Sequence, residues 1–175
     1  MATQLEPRER LQPALLDRLT DDSPTQRVEP EGQRVMSKNQ LRQAVLRDLS
    51  WLFNATQPTD RLGEDYPALA SSVLNFGLPA LSGQLASKVD ISVLERAIRD
   101  CVLRFEPRLL PETLEVRALE ATSVLDTHNM IEFEIRGHLW AQPVPLEVLL
   151  RTRLDLEAGL VEVRDAGAFT STRAR

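Results

Sequence analysis

Ile131-Glu-Phe-Glu-Ile-Arg136 alternates apolar and charged residues. Leu146, Val148, Leu150, Leu154 and Leu156 alternate in the same way against Glu147, Arg151, Arg153 and Asp155, with Leu149 and Thr152 out of step. Successive strand side chains point to opposite faces, so a period of two marks strands with one face in a core and the other in water. Glu157-Ala-Gly159 reads as a turn, and Leu160 to Arg164 returns as a last short strand. Leu114 to Ala121 adds a strand of weaker alternation.

Upstream the period lengthens to that of a helix. Ser37 and Gln40 have capping-box spacing, and Leu41, Val45, Leu49, Leu52 and Phe53 follow at helical intervals until Asn54 to Asp60, with Pro58, ends the run. Pro67 and Gly77 suit the first turn and the exit of a short helix over Pro67 to Phe76, with Leu69, Val73 and Phe76 as its apolar side. Leu78 to Val89, with Pro79 and Gly83, reads as a loop. Asp90 or Ser92 opens the next helix, whose stripe is Leu94, Ile98, Cys101, Val102 and Phe105. Pro107 stops it, because proline lacks the N–H and disfavours helical geometry at Glu106. Helices followed by hairpin-linked strands define an α+β domain, a helical N-terminal half packed on a small antiparallel or mixed C-terminal sheet.

The margins differ. Residues 1–36 carry Pro7, Pro13, Pro24 and Pro30 among dense charge, too little apolar surface to offset ordering entropy. The expected organisation is a flexible segment over 1–36, a folded domain over 37–166 and a disordered tail over 167–175. One island stands out, Pro13-Ala-Leu-Leu-Asp-Arg-Leu19, with Leu15, Leu16 and Leu19 on one face of a short helix. Such a helix is marginal alone, so it either folds back on its own domain or docks on a partner.

Composition excludes several function classes. The net charge of −5, from 21 basic and 26 acidic residues well mixed, gives no long-range attraction to nucleic acid or an anionic membrane. No stretch is long and apolar enough to span a bilayer, and the N-terminus lacks a signal-peptide pattern. The single cysteine, Cys101, allows no internal disulfide; a cytoplasmic protein is expected. His128 and His138 have no metal-ligand spacing with cysteine or carboxylate, and no phosphate-binding loop or nucleophile elbow occurs, so neither metal nor cofactor is expected. Cys101 with His128 and Asn129 would be the residue types of a thiol protease, but Cys101 falls on a core stripe. Glu132 and Glu134 lie roughly 7 Å apart along a strand, within the range of glycosidase carboxylates. Any solvated strand with alternating glutamates has that spacing, and two Trp and one Tyr offer a sugar few stacking platforms.

Phe105-Glu-Pro-Arg-Leu109 is the most informative pentapeptide. Glu106 and Arg108 are two apart on chain read as extended and stiffened by Pro107, so they project to similar sides. The pair fits an internal salt bridge tying helix to sheet, or a contact in which Arg108 forks onto a partner's carboxylate.

The Glu106-Pro107-Arg108 triplet resembles the Glu-Pro-Arg motif of the phage baseplate wedge family historically labelled lysozyme-like, whose bacterial branch is TssE of the type VI secretion baseplate. Pro13 to Asp22, Leu46-Arg-Asp-Leu-Ser-Trp-Leu-Phe-Asn54 and Ser72-Val-Leu-Asn-Phe-Gly-Leu-Pro79 extend the likeness across most of the chain. The resemblance implies a structural, non-enzymatic wedge subunit in the cytoplasm. It would join TssF and TssG and start the contractile sheath of TssB and TssC by strand addition. It also implies an intermolecular role for Glu106, Pro107 and Arg108, beside the docking leucines Leu15, Leu16 and Leu19. The alternatives from other classes are a peptidoglycan-acting glycosidase and a generic protein-binding adaptor.

Overall fold

The capping box expected at Ser37 forms. Its Oγ accepts the Gln40 N–H at 3.2 Å and Gln40 Oε1 accepts the Ser37 N–H at 2.8 Å, satisfying two donors that a helix start leaves orphaned. The computed structural model in which this is seen describes residues 13–20, 25, 36–58, 66–70, 72–81, 89–119, 129–141 and 144–167. Expectations for the rest of residues 1–35 and for the tail beyond 167 lie outside the described residues, as do Gly83 and His128.

Helix α1 spans Leu15–Leu19, α2 Lys38–Asn54, α3 Pro67–Ala70 and α4 Ile91–Phe105. Strands β1 (Glu115–Ala118), β2 (Met130–Leu139), β3 (Leu146–Asp155) and β4 (Leu160–Asp165) follow. They form one sheet in the order β1-β2-β3-β4, with every pairing antiparallel and none parallel. The architecture is therefore α+β, helices first and a four-stranded meander after them.

The alternation works as the period of two requires. Ile131, Phe133, Ile135 and Leu139 of β2, Val148, Leu150 and Leu154 of β3, and Val161 of β4 are buried. They meet Leu41, Val45, Leu49, Leu52 and Phe53 of α2 and Leu94, Ile98, Cys101 and Val102 of α4 in one core. Met36, placed by sequence in the flexible segment, is buried in that core too. Thr152, out of step by residue type, sits on the inward face and is buried, donating its hydroxyl to the Phe133 carbonyl at 3.4 Å. A buried hydroxyl needs such an acceptor.

One local expectation is corrected, and one choice left open by the sequence is decided. The helix read over Pro67 to Phe76 is broken: α3 ends at Ala70, and Ser72, in extended backbone, caps a 3-10 turn over Val73–Asn75. That break rotates Val73 out of the expected apolar side, leaving it 81% exposed, while Phe76 packs edge-on to Phe105 at 5.3 Å. At α4, Asp90 is the cap, accepting the Ser92 and Val93 N–H groups; Ser92 lies inside the helix and its hydroxyl bonds Asp90.

Gly77 closes the first half. Its φ is +125°, and a Cβ there would strike the Ala55 carbonyl. The chain passes this closely because Leu78 N–H bonds Ala55 O and Gln57 N–H bonds Leu78 O, both at 2.9 Å. Only glycine tolerates both conditions.

Candidate functional site

α4 ends at Phe105 and the chain turns at once. The Leu109 N–H bonds the Glu106 carbonyl at 3.2 Å, a four-residue turn with Pro107 in its second position, where the fixed φ of proline fits. The segment is thus a turn and not the extended chain read from sequence, yet Glu106 and Arg108 do face one another, brought together by the turn. Glu106 Oε1 accepts Arg108 Nε at 2.7 Å and its backbone N–H at 3.1 Å, and Oε2 lies 2.5 Å from Nη2. The next residues fix this corner to the sheet. Trp140 N–H bonds Arg108 O at 2.7 Å, Leu110 N–H bonds His138 O at 2.9 Å, and Leu109 bridges Leu139.

The pair belongs to a longer chain of charges. Arg108 Nη2 also reaches Asp48 Oδ2 of α2 at 2.6 Å. Asp48 Oδ1 takes Arg47 Nε at 2.9 Å, and Arg47 Nη1 crosses to Asp17 of α1 at 2.6 Å. Glu106, Arg108, Asp48, Arg47 and Asp17 therefore run unbroken from the α4 exit, across α2, to α1. Burial is greatest at Glu106, 3% exposed, and least at Arg47, whose side chain is 32% exposed and stacks over Trp51 at 5.3 Å. Burial by itself pulls the Arg108 guanidinium towards neutrality, but Glu106 and then Asp48 outweigh it and raise its pKa above the usual arginine value. Arg47 is raised as well, chiefly by Asp17.

α1 is held through this chain by its polar side. Asp17 faces α2, and the leucines read as a docking face point outward, Leu15 and Leu19 about three-quarters exposed at 73% and 74% and Leu16 at 42%. The helix thus contacts its own domain without burying its apolar face. Sequence reasoning did not single out Asp17, Arg47 or Asp48. Each lies inside a stretch on which the family resemblance rests: Asp17 in Pro13 to Asp22, Arg47 and Asp48 in Leu46 to Asn54. Three stretches far apart in sequence meet at one ionic cluster.

The sheet edges carry a second arrangement. Asn54, the last residue of α2, donates Nδ2 to the Val161 carbonyl at 2.8 Å and accepts the Val161 N–H on Oδ1 at 3.0 Å. At the other edge, Glu95 of α4 accepts the Ala118 N–H of β1 at 2.6 Å. Both helices thus reach edge backbone that a sheet otherwise leaves unpaired.

The residues weighed for catalysis are engaged elsewhere. Glu132 bonds two nitrogens of Arg153 at 2.9 and 2.7 Å, and Glu134 pairs with Arg136 at 3.5 Å, on the sheet's outer face. The open depression of about 300 Å³ there is lined by charged residues of both signs, Glu132, Arg153, Glu162 and Arg164 among them, together with Leu149, Thr152 and Ala166. Cys101 is buried, donates to Gly77 O at 3.1 Å, and has its thiol pKa pushed up to about 12 by burial. Among the described residues no three His, Cys, Asp or Glu side chains converge to hold a metal, and no helix is long and apolar enough to cross a membrane.

The chain is thus an α+β unit with a connected ionic cluster, an outward-facing apolar helix and carboxylates tied in surface ion pairs. The family model for baseplate wedge protein gp25 matches residues 39–144, and the chain belongs to that family, a structural component of baseplates. The match runs from α2 into the β2–β3 connection and contains Arg47, Asp48, Glu106, Pro107 and Arg108. No curated protein and no solved structure matches the chain.

Proposed function

We propose that this protein is the TssE-type subunit of a type VI secretion baseplate, a cytoplasmic non-enzyme that joins wedge subunits and starts sheath assembly by accepting strands. The observation that carries this reading is the convergence of three family-like stretches on one ionic cluster within a chain of the gp25 wedge family. Its partners in this reading are TssF and TssG in the wedge and TssB and TssC in the sheath. Leu15, Leu16 and Leu19 supply an apolar docking face, on a helix already positioned by Asp17, so binding orders little new chain.

The Glu106-Pro107-Arg108 corner contributes through Arg108. Glu106 is too buried to touch a partner and serves to hold the guanidinium, while the Arg108 side chain keeps 24% of its surface. A guanidinium fixed in this way loses little freedom when a partner packs on it. Glu132 and Glu134 form no catalytic pair in this reading. Co-expression with TssF and TssG, followed by affinity purification, tests the assignment: a stable complex is expected. Clearing of purified cell walls by the isolated protein would overturn the non-enzymatic reading.

A further inference from the structure

The backbone of β4 alternates between two partners. Leu160, Glu162 and Arg164 face β3, and Ala166 N–H continues that ladder to Leu149 O at 2.8 Å. Val161, Val163 and Asp165 therefore turn their N–H and C=O groups to the open edge. At Val161 both groups are occupied by the Asn54 carboxamide, one accepting and one donating. An antiparallel neighbour would make the same pair of bonds with its own peptide groups. The next outward residue, Val163, has no such partner among the described residues.

We propose that Asn54 is the gate of a strand-accepting edge on β4. An incoming extended segment takes its place at Val161, bond for bond, and runs on past Val163. This rests on the strand-addition reading above and specifies where the strand enters. The exchange at Val161 is close to neutral, two uncharged hydrogen bonds for two, and the groups of Val163, without a partner among the described residues, supply the gain. Asn54 is easily displaced: it is exposed, and its Nδ2 keeps the Ser50 carbonyl, 2.7 Å away, as an alternative acceptor.

The β1 edge is a poorer acceptor for a chemical reason. Glu95 is only an acceptor there, and displacing it would strip a half-buried carboxylate of its backbone donor. β1 is also shorter, four residues against six. The occupant of β4 is an extended segment that alternates apolar and charged residues. Its apolar positions continue the inward row of Val161 and Val163, its charged ones the outward row of Glu162 and Arg164.

The test supplies the strand in cis, with no natural partner needed. The full chain is extended by a Gly-Ser linker and an alternating Thr-Val strand, whose tether gives a local concentration on the order of millimolar. Asn54, Asn54→Ala and Asn54→Asp versions are compared by residue-resolved hydrogen exchange at Val161 and Val163, with thermal melting to verify the fold. Protection at Val163 is expected to rise roughly tenfold from Asn54 to Ala as two competing bonds disappear. Aspartate, which keeps only the acceptor, should fall between. Equal protection in all three overturns the gate while leaving strand addition in place. No protection at Val163 in any of them, with melting unchanged, removes strand addition at β4 itself. Should the alanine variant not melt cooperatively, the aspartate variant against wild type carries the comparison.

Discussion

Replacing Arg108 with alanine removes the partner of the most buried charge in the described structure. Glu106 would lose two guanidinium bonds, at 2.7 and 2.5 Å, and keep only the backbone N–H at 3.1 Å. Breaking one side of a buried ion pair costs about 3–5 kcal/mol. Two features lower the figure here. The Arg108 side chain is a quarter exposed, so truncation admits water to the carboxylate, and Asp48 retains Arg47 as a partner. A loss of about 2–3 kcal/mol follows, which for a chain of this size lowers the melting temperature by roughly 4–12 °C. Typical domains hold about 5–15 kcal/mol, so the variant stays folded at 25 °C. The assay is thermal unfolding followed by circular dichroism at low and at high salt. The drop should persist at high salt, because a buried pair is poorly screened. Glu106→Gln combined with Arg108→Ala should cost less than the sum of the two single changes, since each removes the same contact. If Arg108→Ala melted within a degree of wild type, the internal pairing would contribute nothing, and an account based on the Glu106 carboxylate would fail.

Leu15→Asp with Leu19→Asp should leave the melting temperature of the isolated protein within about 1–2 °C, since exposed sites are usually within ±0.5 kcal/mol, while sharply reducing recovery of TssF and TssG in a pull-down; unchanged recovery would remove the docking face. Asp17→Asn should free α1 from α2, seen as faster exchange of the Arg18 and Thr20 amides, which now bond the Ala14 and Leu16 carbonyls. Glu132→Gln with Glu134→Gln should change stability by no more than about 0.5 kcal/mol and leave sheath assembly intact, as exposed ion pairs contribute little. Cys101, with its thiol pushed up to about 12, should react with alkylating reagents at pH 8 only as fast as the protein unfolds; rapid labelling of the native protein would contradict its burial.

Sequence by itself determined the elements whose signal is local. The period of two in Ile131 to Arg136 and Leu146 to Leu156 placed β2 and β3, and Ser37 with Gln40 placed the start of α2, because pleat geometry and capping depend on neighbours in the chain. The exit of α4 was legible too, since a proline following helical residues lacks the N–H to continue the ladder and disfavours helical geometry in the residue before it. The Glu106–Arg108 contact was legible as a pairing, but its choice of partners was not. Asp48 is 60 residues away from Arg108, and Asp17 is 30 from Arg47. No periodicity relates such positions; packing α2 against the α4 exit and α1 brings them together. The broken helix at Ser72, the choice of Asp90 over Ser92 as cap, and the reach of Glu95 to the β1 edge were likewise decided by the tertiary structure. Asn54 shows the limit most clearly. In sequence it is a helix-ending residue, and only the position of β4 beside it turns its amide into the partner of Val161, because a hydrogen bond depends on where two groups lie in space.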